Sequence, residues 1–375
     1  MVYFKSMSER DNLTYDQSGV NYDLLDPLKV MAQTEGRKTS KNLSLSTMSE
    51  ISSSRGESAY VVEYDDCYFA VVEECLGTKS LVADGMRKIT GRTYYDLLAQ
   101  DTIAYSVNDL ITTGAQPTAI VAYWALGSSE WLKDTERMED LVKGWAKACD
   151  IAGAAWGGGE TPVLSGIIDK DAIDLASGCF GIIKPKERLT LGEKLQSGDA
   201  IVLLESHGIQ SNGVSLARKI AEKLPEGYGT KMPDGRYYGE ALLVPTIIYA
   251  PLTRDLFENR IDIHYMANIT GHGWRKIMRS TKQLTYRLTD LPPVLEVFTF
   301  MMEHGPVEER EAYGDFNMGA GFAVYTPRQD AGRVVDIAKN HGIKAYVAGV
   351  VEEGPRQVII EPKNIVFEGK TLGVR

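Results

Sequence analysis

The sequence predicts an α/β fold, α+β in its looser sense, made of two domains. Three observations predict it. The chain has 375 residues, and a domain takes about 100–200 of them. Strand-like and helix-like stretches alternate through both halves. The pattern breaks near residues 185–198, where Leu195-Gln196-Ser197-Gly198-Asp199 reads as a turn before a new apolar run. Hydrophobic residues make up 43% and charged residues 25% of the chain, enough for each domain to bury a core of ordinary size.

Residues 1–56 are polar and rich in Ser, Thr, Asn and Asp, and the serine-laden stretch 38–55 has little periodicity. It reads as a flexible arm that could close as a lid over a ligand, and equally as a plain disordered leader. The first domain is placed at residues 57–190. Ala59-Tyr60-Val61-Val62-Glu63 and Tyr68-Phe69-Ala70-Val71-Val72 are strand-like, with Asp65-Asp66 as the turn of a hairpin. Residues 101–110 look helical and Gly114-Ala115-Gln116-Pro117 ends them; residues 117–124 read as a buried strand. From Thr135, Met138, Leu141, Val142, Trp145 and Cys149 fall on one helical face, which makes them core. After Gly153 the pattern returns to a strand and a glycine-rich turn. The second domain is placed at residues 191–375, with strands at 200–204, 319–325 and 345–351 and a helix at 214–224. There is no short repeat.

A net charge of −10 argues against a broad nucleic-acid footprint, which needs a basic face. It leaves ATP open, because loops and a metal ion can offset phosphate charge locally. No run of about 18 apolar residues suggests a membrane span, and the first six residues are too short and polar for a signal peptide; Met7 is a second candidate start. Cys67, Cys75, Cys149 and Cys179 form no Cys-x-x-Cys pair, so the expectation is four reduced thiols in a cytoplasmic protein and no structural zinc.

Four segments carry chemistry. In Glu73-Glu74-Cys75-Leu76-Gly77-Thr78-Lys79 a strand ends in an acid, a glycine turn and a Thr-Lys pair. Glu74 suits Mg²⁺, Gly77 lets backbone approach phosphate, and Lys79 offers charge; a bare turn of this kind is also common. Asp101, Tyr105, Asn108 and Asp109 fall on one side of a helix, which suits a multi-carboxylate magnesium site as well as it suits a solvated acidic face. Trp156-Gly157-Gly158-Gly159-Glu160-Thr161 can bring N–H groups to phosphate and a carboxylate to its metal. Ser206-His207-Gly208-Ile209-Gln210-Ser211-Asn212-Gly213 precedes a helix. It is either an anion site or simple capping by Ser211 or Asn212.

Together and in order, these segments resemble the aminoimidazole ribonucleotide synthetase (phosphoribosylformylglycinamidine cyclo-ligase) family. Its Asp-Gly-Val-Gly-Thr-Lys is similar to Glu74-Cys75-Leu76-Gly77-Thr78-Lys79, and its Asp-Thr-Ile-Gly-Ile-Asp and Val-Asn-Asp-Leu are similar to residues 96–101 and 107–110. Its Gln-Gly-Ala-Glu-Pro resembles residues 113–117, its Gly-Gly-Glu-Thr is matched at residues 158–161, and its His-Ser-Asn-Gly-Tyr-Ser-Leu-Val-Arg-Lys is close to residues 210–219. Residues 15–21, Leu243-Val244-Pro245-Thr246-Ile247-Ile248-Tyr249, Ile269-Thr270-Gly271-His272-Gly273 and Phe316-Asn317-Met318-Gly319-Ala320-Gly321 extend the likeness over nearly the whole chain.

The resemblance implies an N-terminal α/β domain whose strands build a barrel with a second subunit, a C-terminal α/β domain, and a homodimer. It implies ATP-dependent closure of formylglycinamidine ribonucleotide, a phosphoribosyl amidine, to aminoimidazole ribonucleotide, ADP and phosphate, in purine biosynthesis. It places Glu74, Asp101, Asp109 and Glu160 at Mg²⁺, and Gly77, Thr78, Lys79, Asn108, Gly157, Gly158, Gly159 and Thr161 at the nucleotide. Gln210, Ser211, Asn212, Thr270 and Gly271 would approach the substrate, with Lys79, Asp101 and Asn212 as the catalytic choices. Several positions depart from the family pattern. Glu74-Cys75 replaces Asp-Gly, Gln210 and Asn268 each replace a His, and His272 replaces a Gly. Residues 52–58 replace a glycine-rich segment, and Lys29 is the nearest match to an N-terminal phosphate-facing Lys. The departures keep two alternatives open: a superfamily relative that activates another small substrate, and a nucleotide-binding homologue without turnover.

Overall fold

The computed structural model describes residues 22–305 and 307–372. The resemblance at residues 15–21 and the alternative start at Met7 lie outside them. Two mixed sheets organise the chain. The first has six strands, β1 (Ser49–Glu50), β2 (Tyr60–Tyr64), β3 (Cys67–Cys75), β4 (Gln116–Leu126), β5 (Ala155–Glu160) and β6 (Ile173–Ile183), in the order β1-β2-β3-β6-β4-β5. All its pairings are antiparallel except β4 with β5. The second holds β7 (Asp199–Glu205), β8 (Tyr265–Asn268), β9 (Leu284–Leu288), β10 (Ala320–Pro327), β11 (Ala345–Glu353), β12 (Gln357–Ile360) and β13 (Ile365–Glu368), in the order β13-β12-β9-β11-β7-β10-β8.

The helices are α1 (Tyr22–Thr39), α2 (Lys79–Thr90), α3 (Tyr95–Ile111) and α4 (Thr135–Ala152) in the first half. The second half adds α5 (Val214–Lys223), α6 (Tyr238–Leu242), α7 (Ala250–Glu258), α8 (Glu296–His304), α9 (Glu309–Asp315) and α10 (Ala331–Asn340). The mixed α/β class and the hairpin of β2 and β3 are as the sequence predicts. Among the described residues no helix is long and apolar enough to cross a membrane.

α3 is the central helix of the first half. It is buried on nearly every side, as expected of a helix lying between a sheet and other helices. On one side lies the inner face of the sheet, where Ser177 of β6 donates to the Thr102 carbonyl at 2.9 Å and meets Ser106 Oγ at 2.7 Å. On the other lies α4, close enough that a Cβ on Gly144 would sit 2.6 Å from Asp96 Cα. α4 starts at an Asp134 cap accepting from the Arg137 N–H and stops at Gly153 in the left-handed region. Its buried face is Leu141, Gly144, Trp145, Ala148, Cys149 and Ala152. Val142, expected on that face, is exposed, because the small residues let α3 approach one step further round the helix.

Two other expectations fail. Residues 38–55 do not form a structureless stretch: α1 is followed by a 3-10 turn at Ser40–Ser46 and then by β1, which pairs with β2. The glycine run 157–159 is itself part of β5, where Gly159 is held against β4 so closely that a side chain would strike the Ala122 backbone. The glycines there permit close strand approach, which an isolated reading of a glycine run does not reveal.

Candidate active site

A cleft of about 480 Å³ opens between the two halves. Glu74 reaches it from the end of β3, Tyr105 and Asp109 from α3, and Asn212 from the loop after β7. Thr270, Gly271 and His272 follow β8 into it. Lys29, Ala32 and Gln33 of α1 cover one side, and Lys276 and Arg279 of the turn after His272 cover another.

Local rules bring the two acids together. Along β3 alternate side chains face opposite ways; Ala70, Val72 and Glu74 point inward and Val71, Glu73 and Cys75 are exposed. Tyr105 and Asp109 are one helical turn apart, so they share the face of α3 that looks onto this strand end. Asp109 accepts a hydrogen bond from Asn268 Nδ2 at 2.7 Å. Asn268, where the family pattern has His, therefore fixes one carboxylate oxygen of Asp109 from the second half of the chain.

The cleft carries charges of both signs. Burial, then the nearby Asp109 charge, pushes the Glu74 carboxyl up to about 7. Burial and the adjacent Arg279 push the Lys276 ammonium down to about 8. Burial, with Lys276 and Arg275 beside it, holds the His272 imidazole down to about 3, so it is neutral throughout the physiological range. Acids and cations thus share the cleft, and the charges of Lys276 and Arg279 oppose the rise at Glu74.

Lys79 and Asp101 are not part of this surface. They form an ion pair at 2.7 Å in which both side chains are fully enclosed. Lys79 also donates to the Gln210 carbonyl at 2.6 Å, and Asp101 accepts from the Thr246 N–H at 2.8 Å and the Thr246 hydroxyl at 2.5 Å. Burial pushes the Lys79 ammonium down and the Asp101 carboxyl up, and contact between the two opposes it. The pair bolts the two halves together behind the cleft. Its polar atoms are engaged there, which corrects their assignment to phosphate and metal. Asn108 is likewise engaged: its amide donates to the Ile247 carbonyl at 2.8 Å and accepts from the Tyr249 N–H at 3.0 Å. With Asp101, Asn108 and Asp109 all buried, this is not a solvated acidic face.

Glu160 also lies elsewhere. Glu74 pairs with Ser177, Ser177 with Ala122, and Ala122 with Gly159. Gly159 is thus three strands from Glu74, about 14 Å at the usual strand spacing. Glu160, one residue on, belongs to the row of Cys75 and Tyr123 on the opposite face. Gly157, Gly158 and Thr161 share that exposed edge. Gly77 and Thr78 form the turn into α2, outside the cleft lining. Gln210 is buried, its backbone in the left-handed region at φ 61.

The loop 206–213 is anchored by Asn317. Its side chain accepts from Ser206 Oγ at 2.6 Å and donates to the Gly208 carbonyl at 2.9 Å. Gly213 caps α5 at φ 72, and a side chain there would enter the Phe316 ring. Neither Ser211 nor Asn212 caps the helix. Ser211 Oγ, Asn212 Nδ2 and, across the domain junction, Thr78 Oγ1 are buried with no hydrogen-bond partner among the described residues, and a buried polar atom in that state awaits a ligand or water.

Five of the predicted site residues thus meet in one cleft: Glu74, Asp109, Asn212, Thr270 and Gly271. Sequence reasoning missed Ala32, Gln33, Lys276 and Arg279 as lining residues. The signal for the last two was present as a Lys-x-x-Arg spacing just after the His272-Gly273 turn.

The family described as AIR synthase related protein matches both halves, its N-terminal domain at residues 56–183 and its C-terminal domain at residues 196–361. The chain belongs to the AIR synthase-related family. Within that family it is 34% identical over 351 residues to the phosphoribosylformylglycinamidine cyclo-ligase of Methanothermobacter thermautotrophicus, covering 93% of this chain and 97% of that one. The protein of the same name from Methanocaldococcus jannaschii is 36% identical over 295 residues, 78% of this chain and 81% of the relative. Among solved structures, T. maritima PurL complexed with AMPPCP superposes with a TM-score of 0.56 at 16% identity, covering 84% of this chain and 46% of that chain. AaThiL complexed with AMPPCP and TMP gives 0.57 at 14% identity, covering 83% and 89%. These two share the fold of the family.

Proposed function

We propose that the protein is an ATP-dependent cyclo-ligase that closes formylglycinamidine ribonucleotide to aminoimidazole ribonucleotide, releasing ADP and phosphate. The observation that carries this reading is the cleft itself, lined by the acids Glu74 and Asp109 together with the cations Lys29, Lys276 and Arg279. Relatives bearing the cyclo-ligase name support it, one matching over 93% of this chain and one over 78%.

The donor set fits Mg²⁺ bound together with a nucleotide. Among the described residues no group of three or more acids, histidines and cysteines gathers to cage a metal. Mg²⁺ does not need one: it takes one or two carboxylates and completes its shell with phosphate oxygens and water. Glu74 and Asp109 are such a pair, and their mutual repulsion is what a divalent cation would relieve. Mg²⁺ there would neutralise charge on the transferring phosphoryl group.

The chain's own residues supply positioning. The Asn268 hydrogen bond aims Asp109, and the Asn317 anchor holds Asn212 at the cleft with its amide unspent. The formyl amide oxygen of the substrate takes the γ-phosphoryl group, the amidine nitrogen attacks that carbon, and the C–O bond breaks with phosphate as the leaving group. Such a reaction depends on alignment and charge neutralisation more than on covalent help from the protein. Gln210, where the family pattern has His, cannot act as acid or base near neutral pH; its burial makes it a support of the loop in this reading.

The outer face of the first sheet supports a homodimer. Tyr64, Val71, Val121 and Phe180 are exposed there, and Phe69 stacks between Tyr64 and Phe180 with ring centroids at 5.8 and 5.3 Å. A contiguous apolar sheet face of this kind marks an interaction surface.

The test of the activity is ADP release by purified protein with ATP and Mg²⁺, with and without formylglycinamidine ribonucleotide. Release that requires the acceptor is expected. ATP bound in a calorimetric titration but never turned over would contradict this reading and favour the homologue without turnover; turnover with another acceptor would favour the relative acting on a different substrate.

A further inference from the structure

The cations of the cleft include one side chain that the fold leaves unsatisfied. Lys276 lines the cleft and is half-buried, yet its ammonium makes no hydrogen bond or ion pair with any described residue. Its neighbour Arg279 is the opposite case. The Arg279 guanidinium donates to the Gly56 carbonyl at 3.0 Å and to Ser58 Oγ at 3.0 Å, and lies 3.6 Å from the Glu57 carboxylate. Glu57 in turn accepts from the Tyr265 hydroxyl at 2.8 Å. Arg279 is therefore fixed in place by residues 56–58, the stretch that stands where the family pattern has a glycine-rich segment.

Lys276 and Arg279 are three residues apart across a 3-10 turn, Gly273–Met278. At that spacing side chains eclipse, so both cations face the cleft together. The turn cannot yield easily. Gly273 has φ 51 and is packed against the backbone of residues 313–315 at the end of α9. Lys29 of α1 lies on the adjoining wall of the same cleft. Holding a partly desolvated ammonium with no bonded carboxylate, beside a guanidinium that Glu57 already pairs, is a standing cost. Folds keep such arrangements where an anionic ligand relieves them.

We infer that Lys276 and Arg279 form the seat of a phosphate group, with Arg279 as the fixed partner and Lys276 as the unbonded point charge. This rests on the reading of the cleft as the reaction site. Two ligands could bring that phosphate: the ribose 5-phosphate end of the acceptor, or the polyphosphate of the nucleotide. Glu74 and Asp109 line the same cleft and attract Lys276, so a metal-bound phosphate held by the acids would lie beside this seat.

Binding of ribose 5-phosphate and, separately, of metal-free ADP is measured by calorimetry on the full-length wild type and on Lys276→Met and Lys276→Arg. The expected result is that one of the two ligands loses at least about tenfold in affinity with Met and stays within about threefold with Arg. The ligand affected identifies the source of the phosphate. Lys276→Met is also expected to melt at or above the wild-type temperature, because burial and Arg279 disfavour this unbonded ammonium more than the nearby carboxylates favour it; a residue holding the turn together would lower it. Wild-type affinity of the Met variant for both ligands, or no binding of either ligand to the wild type, overturns the seat. These readouts need no turnover. Loss of phosphate binding in a protein without cyclo-ligase activity would leave the seat standing and remove the reaction, and normal binding by the Met variant of an active enzyme would do the reverse.

Discussion

The ion pair of Lys79 and Asp101 is enclosed on every side, so neither charge can be left alone at low cost. Removing one partner of a buried, hydrogen-bonded pair costs about 3–5 kcal/mol, whereas replacing both with apolar groups of like volume is often close to neutral. Lys79→Met is therefore expected to lower unfolding stability in urea by that amount, and adding Asp101→Leu should restore most of it. If Lys79→Met left stability unchanged and removed only ATP binding, the pair would belong to the site after all. This is the point at which residue types in sequence are least informative. Lys after Gly-Thr, and Asp a helical turn before Tyr105, have the chemistry of phosphate and metal binding. What decides their role is which atoms they meet 131 and 145 residues away along the chain, the Gln210 carbonyl and Thr246, and no local pattern encodes that. Glu74 was legible because a strand end followed by a glycine turn leaves its last inward residue at the sheet's rim. Glu160 was misread because the parity of register, which puts it on the other face, depends on pairing with β4.

Elements were easier to read than their faces. β2, β3, β4 and α4 follow from period-two and period-3.6 patterns, while β5 and the 3-10 turn after α1 carry glycines and serines that suppress those signals. α9 shows how an element's end can store an electrostatic penalty. It finishes on Asp315, which is 8% exposed, and a carboxylate in the last turn of a helix opposes the helix dipole. Burial is the main cause that raises its carboxyl from 3.8 to about 6, with Arg275 pulling the other way and Glu311 adding to the rise. The folded protein therefore binds more protons than the unfolded chain between pH values of about 4 and 6, so stability falls as pH rises through that window, by up to roughly 3 kcal/mol. Asp315→Asn should flatten that part of the stability profile, matching wild type near pH ~4 and exceeding it above pH ~6 in thermal melts. A variant less stable than wild type at neutral pH would show that attraction to Arg275 outweighs burial.

At the scale of the whole molecule the two halves are joined through α3. Gln100, Asp101 and Asn108 bond to residues 246–249, and Asp109 bonds to Asn268. This tether makes the cleft a rigid product of the fold, and it explains why an ordered set of motifs spread along the chain predicts one site. The outer sheet face is the other whole-molecule feature. If it joins two copies, Val121→Glu places a charge in the interface and should shift sedimentation from dimer to monomer at micromolar concentration, with the monomer's helix content intact; a wild type that sediments as a monomer would contradict the dimer. The central claim is that Glu74 and Asp109 hold the metal-bound nucleotide for an acceptor-dependent reaction. Its most direct test is steady-state ADP release, titrated with Mg²⁺, by wild type and Asp109→Asn in the presence and absence of formylglycinamidine ribonucleotide. The account predicts release only with acceptor, and a loss of about 10²-fold or more in kcat for the variant at unchanged fold stability. Release that ignores the acceptor, or a variant within about threefold of wild type at every Mg²⁺ concentration, would contradict it.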